Sequence, residues 1–526
     1  MSFLVKYFNL FMKYILFVLF ILTFSIYSQE NVKEVTILHW NDFHARNQPV
    51  KSSKKDSATG ESVYYYYGGT ANMLGYVNKL RNEKSLVLNA GDDFQGTPVS
   101  TFTRGKSQIE LLNLFSIDAF VLGNHEYDYS QYALDSALKL AQFNILSANI
   151  YNKLSNSTFG KPFIIKDING VKTGILGISP PGLFELTLPK NVDNIVMLNT
   201  DSVIKAGIGQ LKAQGCDLIV LLTHQGLDDD KKMAEVYYKD VDIIVGGHTH
   251  IPLFKPANQN GVVIVQAGSY SRWLGKLDLK VDVDKDTVIS YYGKLIETVM
   301  DSAIYDKAAG QKVEEMVSSV GAELLKVIAE LKDDWKASYN QETNLGQYEA
   351  DAFRTEIGTD IAFINGGGLR KNLAKGNVTI GDIWEINPFG NELNVFSVSG
   401  KTLKEMLSNN IRLKINKERE EESGEMLNVS GLTYTYDSKK MDSDSMNILV
   451  SAFVDGKPVD DNKIYSIATN NYVVSQFKKF FGEVNEKFEV KETGRVDRDL
   501  IIEVVEKQKV IEPKFEKRII DISDSK

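Results

Sequence analysis

A single cysteine, Cys216, stands in a chain of 526 residues, so no intramolecular disulfide can form and stability must come from packing. Positive charge is not in excess either: 60 Lys and Arg against 69 Asp and Glu leave a formal net charge of -9. That balance argues against a protein that coats nucleic acid, because phosphate backbones reward basic faces. Internal repeats and low-complexity segments are absent. Only one long apolar run occurs, Tyr14–Tyr27, and it is shorter than a bilayer span. Lys6 and Lys13 precede it and Ser28 follows it, the pattern of an export leader over residues 1–28. No cysteine stands directly after the run, which argues against lipid modification there. The mature protein is therefore expected to be exported, periplasmic or extracellular, with no stable membrane anchor once the leader is cut; an uncleaved anchor is the alternative. Histidine is scarce as well, with six in the chain.

What is present reads as a layered α/β protein of roughly two to four domains. From Glu34 to about Asp284, short runs rich in Val, Ile and Leu end in Gly, Asn, Asp or His. Val35–Leu38, Ser85–Leu88, Ala119–Leu122, Ile145–Ser147, Thr173–Leu176, Leu218–Leu222, Ile243–Val245 and Val262–Val265 have the length of buried strands. Helical periodicity lies between some of them, as at Gly69–Arg81 and Gln131–Gln142. Within Ala303–Asp333, apolar residues Val313, Met316, Val317, Val320, Leu324, Ile328 and Leu331 recur at helical steps and predict a connector helix. The chain is thus divided into a leader (1–28), a first domain (33–300), a connector helix (301–337), a second α/β domain (338–505) and a charged, peripheral tail (506–526). The run Lys417–Glu422 reads as a solvated face.

All six histidines fall in short polar segments: H-W-N-D-F-H at 39–44, G-N-H-E-Y-D at 123–128, T-H-Q-G at 223–226 and G-G-H-T-H at 246–250. A fifth segment, G-D-D-F-Q-G at 91–96, adds carboxylates. Four of the five directly follow a strand-like run, where α/β folds keep their chemistry. Imidazole and carboxylate are the ligand types of zinc, manganese and related cations. In D-x-H and H-x-H, residues two apart on extended backbone point the same way, so each pair is expected to reach one ion. An Asp bridging two ions would let them sit ~3.5–4 Å apart, which suits in-line displacement at phosphorus.

These five motifs, in this order, resemble the calcineurin-like metallophosphoesterase domain, and G-D-x-F-Q-G with G-N-H-E-Y-D resembles its 5′-nucleotidase branch. The resemblance implies a four-layer β-sandwich flanked by helices over 33–300 and two divalent metal ions, zinc, manganese or similar. It assigns Asp42, His44, Asp92 and His250 to one ion and Asp92, Asn124, His224 and His248 to the other, with Asp92 bridging. His125 is then left for acid–base chemistry or transition-state stabilisation while an activated water attacks phosphorus, and Asp128 would orient its ring. His39 and Glu126 match no chemical role and are read as structural.

The second region carries E-T-N-L-G-Q-Y-E-A-D-A-F-R at 342–354, I-N-G-G-G-L-R at 364–370, N-P-F-G-N at 387–391 and V-S-G-L-T-Y-T-Y-D at 429–437, and resembles the 5′-nucleotidase C-terminal, substrate-binding domain. That resemblance implies a substrate site made by Asn365, Gly367, Gly368, Arg370, Phe389, Asn391, Gly431 and Tyr472. Arg370 would grip phosphate or ribose oxygens, Asn365 would face the base, and Phe389 and Tyr472 would stack on it. Two departures stand out. Y-N-Q-E-T at 339–343 replaces the arginines common ahead of N-L-G, and in N-N-Y-V-V-S-Q-F-K-K-F-F-G at 470–482 Lys478 stands where the family has an aspartate that binds ribose hydroxyls. Weak discrimination between ribose and deoxyribose is therefore expected.

The reading is an exported, monomeric two-metal phosphohydrolase of nucleotide catabolism, acting on nucleoside 5′-phosphates or related small organic phosphates. Hydrolysis of cyclic nucleotides, sugar-nucleotide pyrophosphates or sulfur-linked substrates on the same fold is the alternative. From another class, a non-catalytic two-domain nucleotide-binding protein remains open.

Overall fold

Along the strand Val32–Trp40 the side chains alternate between two cores: Val35 and Ile37 join one apolar cluster, Leu38 and Trp40 another. Leu218, Val220 and Leu222 share the cluster of Val35, whereas Ile219 and Leu221 face a third. This period of two marks strands buried on both faces. The computed structural model describes residues 31–55, 62–419, 424–441 and 448–523; the leader segment and part of the charged run at 417–422 lie outside the described residues.

Most strands of the first domain form two six-stranded sheets. In spatial order one contains Thr287–Glu297, Trp273–Asp282, Val32–Trp40, Ser85–Asn89, Ala119–Val121 and Asn144–Leu146. The other contains Ala257–Gln259, Val262–Val265, Ile243–Val245, Leu218–Thr223, Val171–Ile178 and Phe163–Ile168. The cluster of Val35, Leu88, Val220 and Val245 fills the space between them. Helix Thr70–Leu80 covers the outer face of the first sheet, and Thr200–Ala213 with Leu227–Tyr237 covers that of the second. Helix, sheet, sheet and helix are the four layers the resemblance implies. Within each sheet the central strands run parallel, so their carboxyl ends open on the same side.

The second domain is built on a five-stranded sheet, ordered Leu427–Ser430, Ile361–Asn365, Ile464–Asn470, Glu392–Ser399 and Lys491–Val496. Helix Asn344–Ile357 packs on it through Leu345, Ala350 and Phe353.

Two sequence expectations need correction. The connector is not one helix from 301 to 337: the helix spans Lys307–Ser319, and Val327–Leu331 is a strand paired with Gly376–Thr379. Gly321, at φ 110°, breaks the helical path, and the strand that follows buries Ile328, Ala329 and Leu331. Nor is the tail peripheral. Val510–Ile511 pairs with Val327–Leu331, and Ile519–Asp521 adds a parallel strand beside Leu432–Tyr436. Arg518 fastens it, donating to both oxygens of Asp351 at 2.8 and 2.9 Å and to the Val429 carbonyl at 2.7 Å.

Candidate metal centre and substrate cleft

Five loops leave the carboxyl ends of these parallel strands. Asp42 and His44 follow Val32–Trp40, Asp92 follows Ser85–Asn89, and Asn124 with His125 follows Ala119–Val121. His224 follows Leu218–Thr223, and His248 with His250 follows Ile243–Val245. Layering the two sheets brings all five ends together. The ligand atoms of Asp42, His44 and His250 lie within 4.8 Å of one another, as do those of Asp92, His224 and His248, and those of His44, Asp92 and His125.

The D-x-H and H-x-H pairs are not on extended backbone. Asp42, His44, Asp92, His248 and His250 all have left-handed φ, between 50° and 80°, a conformation that side chains tolerate only where surrounding structure imposes it. The turn swings His248 and His250 apart, so His250 meets Asp42 and His44 while His248 meets Asp92 and His224. Gly123 is needed for close approach: a Cβ there would sit 2.2 Å from Asp92 Oδ1.

The hydrogen bonds around the centre use up one atom of each group and leave the other bare. Asp42 Oδ2 accepts from Asn41 Nδ2 at 2.5 Å and from the His248 N–H at 3.0 Å, leaving Oδ1 buried without a hydrogen-bond partner among the described residues. Asp92 Oδ1 accepts the His125 N–H at 2.8 Å, which frees Oδ2. His224 Nδ1 donates to the Ala90 carbonyl at 2.5 Å and His44 Nδ1 to that of Gln95 at 3.1 Å, which leaves both Nε2 atoms to face the centre. The Nε2 atoms converge on one another and on the carboxylates. His224 Nε2 is 2.9 Å from Asp92 Oδ2, His250 Nε2 is 3.1 Å from Asp42 Oδ1, and His44 Nε2 is 3.1 Å from His250 Nε2. Asn124 Oδ1 is also buried with no hydrogen-bond partner among the described residues. Each of these contacts needs a proton or a metal cation between its two atoms, and second-sphere donors hold each ligand in the orientation a metal requires. Burial, opposed by Asp92 and Asp42, leaves the His224 pKa raised to about 10; the same field that would hold a proton there draws a divalent cation. Burial and His224 lower His248 to about 3, and burial with Arg370 holds His44 well below the ordinary histidine range, so both are neutral and ready to coordinate. The donor set fits divalent metal ions.

His125 stands beside this cluster. Its Nδ1 is 2.7 Å from Asp128 Oδ2, and its Nε2 lies 4.0 Å from Asp92 Oδ2. Burial disfavours its charge, but Asp128 and Asp92 outweigh that and raise its pKa. The two remaining polar residues of the motifs are structural. His39 is buried against Gly275, its partner in register on the neighbouring strand. Glu126 accepts backbone N–H groups from Gly123, Asp92, Asp93 and Phe94, tying two metal-bearing loops together.

A cleft of about 2010 Å³ runs from this cluster to the second domain. Asn365, Gly367, Gly368, Arg370, Phe389, Asn391 and Tyr472 all line it. Gly431 does not: it forms the turn between Leu427–Ser430 and Leu432–Tyr436, at φ 72°, against Asp360 and Arg354. Arg370 reaches furthest toward the metal loops, with Nη2 3.2 Å from His44 Nε2 and Nε buried without a hydrogen-bond partner among the described residues. Phe389 lies with its ring 5.8 Å from that of His125 and 6.0 Å from Arg370 Cζ. Asn365 is engaged by protein, donating to Glu425 at 2.8 Å and accepting from Asn470 at 3.0 Å. Lys478 turns outward to Glu483, and its neighbour Lys479 is the lysine that contacts Tyr472, with Nζ 3.0 Å from the hydroxyl oxygen. Glu425, Lys479 and the domain-spanning Arg46, which pairs with Glu385 and donates to the Arg370 carbonyl at 3.1 Å, carried no motif signal.

Comparison with known proteins agrees with this architecture. Residues 35–252 match the calcineurin-like phosphoesterase family, and residues 327–483 match the 5′-nucleotidase C-terminal domain. The snake venom 5′-nucleotidase of Crotalus adamanteus is 30% identical over 494 residues, covering 84% of this chain and 81% of that protein. The chain belongs to the 5′-nucleotidase family. A 5′-nucleotidase of Diplobatis ommata is 28% identical over 539 residues, 94% of this chain and 90% of the relative. The crystal structure of a 5′-nucleotidase precursor from Thermus thermophilus superposes with a TM-score of 0.82 at 27% identity, covering 93% of this chain and 99% of that one. As a member of the 5′-nucleotidase family with a calcineurin-like domain, the protein is a metal-dependent phosphoester hydrolase.

Proposed function

We propose that this hydrolase is an exported two-metal phosphomonoesterase that releases phosphate from nucleoside 5′-phosphates, with Asp92 shared between the ions. The observation that carries the reading is the convergence of ligand atoms of Asp42, Asp92, His44, His224 and His250 at the floor of the cleft, with Arg370 of the second domain reaching to within 3.2 Å of His44. Asp42, His44, Asp92 and His250 would hold one ion and Asp92, Asn124, His224 and His248 the other. When bound, the ions supply the Lewis acidity that makes water nucleophilic near neutral pH and offsets phosphate charge.

The chain's own residues do the rest. Arg370 offers its unpartnered Nε and its forked nitrogens to phosphate oxygens, a geometry suited to bidentate grip. Asp128 orients His125 by accepting from Nδ1 and, with Asp92, favours the protonated ring, so the second proton, at Nε2, can stabilise the phosphoryl oxygens or pass to the departing alkoxide. Phe389 and Tyr472 offer ring faces for a base. The nucleotide assignment draws on the relatives, which are named as 5′-nucleotidases. Export draws on the leader pattern at 1–28. The size of the cleft favours one further possibility, esters larger than a mononucleotide, including a sugar-nucleotide pyrophosphate.

The test is phosphate release from a panel of nucleoside 5′-phosphates, an aryl phosphate and a sugar-nucleotide pyrophosphate, before and after chelation, with metal counted by elemental analysis. Two bound metals per chain and nucleotide turnover lost with the metal are expected. Asp92→Asn should lower both metal occupancies, and a variant with two metals and an unchanged rate would remove Asp92 from the bridge.

A further inference from the structure

One ion pair in the cleft, buried on its carboxylate side and partly exposed on its ammonium side, takes no part in the phosphate chemistry. Glu425, its side chain 6% exposed, lies 3.1 Å from Lys479 Nζ through Oε2. Its Oε1 accepts from Asn365 Nδ2 at 2.8 Å and from the Gly367 N–H at 2.9 Å. Both charged residues line the cleft. Lys479 also donates to the Tyr472 hydroxyl at 3.0 Å. Burial opposes charge on Lys479, but Glu425 and Tyr472 outweigh it and raise its pKa, which favours the ammonium form.

A buried ion pair costs desolvation that its own attraction does not clearly repay, so its presence in a binding cleft asks for a purpose. Hydrogen-bond capacity suggests one. A carboxylate has about four acceptor positions and an ammonium three donors. Described residues take three of the former, from Asn365, Gly367 and Lys479, and two of the latter, to Glu425 and Tyr472. One acceptor and one donor remain side by side. A vicinal diol offers the matching pair: one hydroxyl donates and the next accepts.

Position selects the sugar over the base. Gly367 gives its N–H to Glu425 and its carbonyl to Arg370 Nη1 at 3.4 Å, while Arg370 Nη2 lies against His44. The ion pair is therefore one residue beyond the phosphate-gripping arginine, and in a nucleoside 5′-phosphate the group next to phosphate is the ribose. We propose that Glu425, held and assisted by Lys479, reads the ribose hydroxyls and makes this enzyme discriminate ribonucleotides from deoxyribonucleotides. The inference rests on the nucleoside 5′-phosphate reading of the cleft. It replaces the expectation of weak sugar discrimination that Lys478 alone suggested, because the carboxylate arrives from a different segment of the chain.

The experiment compares kcat/KM for adenosine 5′-phosphate and its 2′-deoxy and 3′-deoxy analogues, with an aryl phosphate alongside, in the metal-loaded full chain and in Glu425→Gln and Lys479→Gln. Loss of one hydrogen bond to a charged group should make at least one deoxy analogue roughly 10- to 100-fold poorer for the unaltered enzyme. Glu425→Gln should bring that ratio close to one, and Lys479→Gln should reduce it. A ratio of two substrates on one preparation does not depend on the fraction that is folded, so a partly misfolded variant still answers. Equal kcat/KM for ribo and deoxy substrates in the unaltered enzyme, or an undiminished ratio in Glu425→Gln, overturns the proposal while leaving the nucleotidase reading intact. Turnover of the aryl phosphate with none of any nucleotide overturns both.

Discussion

The carboxylate of Glu126 accepts the backbone N–H of Asp92 at 3.0 Å, so the proposed bridging ligand is held by a residue of the loop that follows a different strand. The same carboxylate binds the N–H groups of Gly123 at 2.7 Å and Asp93 at 2.7 Å. Burial and Asp92 raise the Glu126 pKa to about 7, and His224 with the N–H groups of Asp93 and Asp92 works against that rise. Each oxygen has two donors. In Glu126→Gln one oxygen becomes an NH₂ that must confront two N–H groups, whichever way the amide turns. Orphaned buried donors cost about 1–3 kcal/mol each, so the variant should lose thermal stability and bind metal less tightly. An unchanged melting temperature with full metal content would refute the clamp.

His125→Ala should keep its metal and lose roughly 10²–10⁴-fold in turnover, the usual scale for one acid–base group. If His125 delivers a proton to the leaving alkoxide, an aryl phosphate, whose leaving group needs less help, should suffer less than a nucleotide. Equal losses on both would assign the residue to stabilising phosphoryl charge.

Phe389 lines the cleft beside His125, so its truncation tests base stacking against a packing role. Stacking on one ring is worth ~1–3 kcal/mol, so Phe389→Ala should raise KM for nucleotides by about one decade or somewhat more. Small phosphate esters should be nearly unaffected in KM. A matched loss on small esters would show that the ring mainly supports His125 and Arg370.

Removing the segment after Gln508 should destabilise the second domain, because it withdraws two strands and the Arg518–Asp351 pairing. The lost burial of Ile511 and Ile519, at ~1.5–3 kcal/mol each for a fully buried side chain, exceeds what a peripheral tail could contribute. Calorimetry of the truncated chain should show an earlier transition. Superimposable melting curves for the truncated and full chains would return the segment to the periphery.

Much of this protein is determined by sequence alone, because the relevant signals are local. Buried strands announce themselves as short β-branched runs, and the runs from Val35 to Val265 coincide with strands. The metal-ligand types are concentrated in five segments because a loop at a strand's carboxyl end is a local feature too. Tertiary structure decided what depends on non-local pairing. Left-handed turns, invisible to a two-residue periodicity argument, sent His248 and His250 to different clusters. Val327–Leu331 kept an apolar pattern compatible with a helix and became a strand because Gly376–Thr379 was there to pair with it. Lys479, not Lys478, turns into the cleft because the short helix Phe477–Phe481 packs Phe480 and Phe481 inward and leaves Lys478 to solvent. Glu425 meets Asn365 across 60 residues of sequence. No motif could announce that meeting, since antiparallel pairing of Leu427–Ser430 with Ile361–Asn365 is what carries the carboxylate to the cleft.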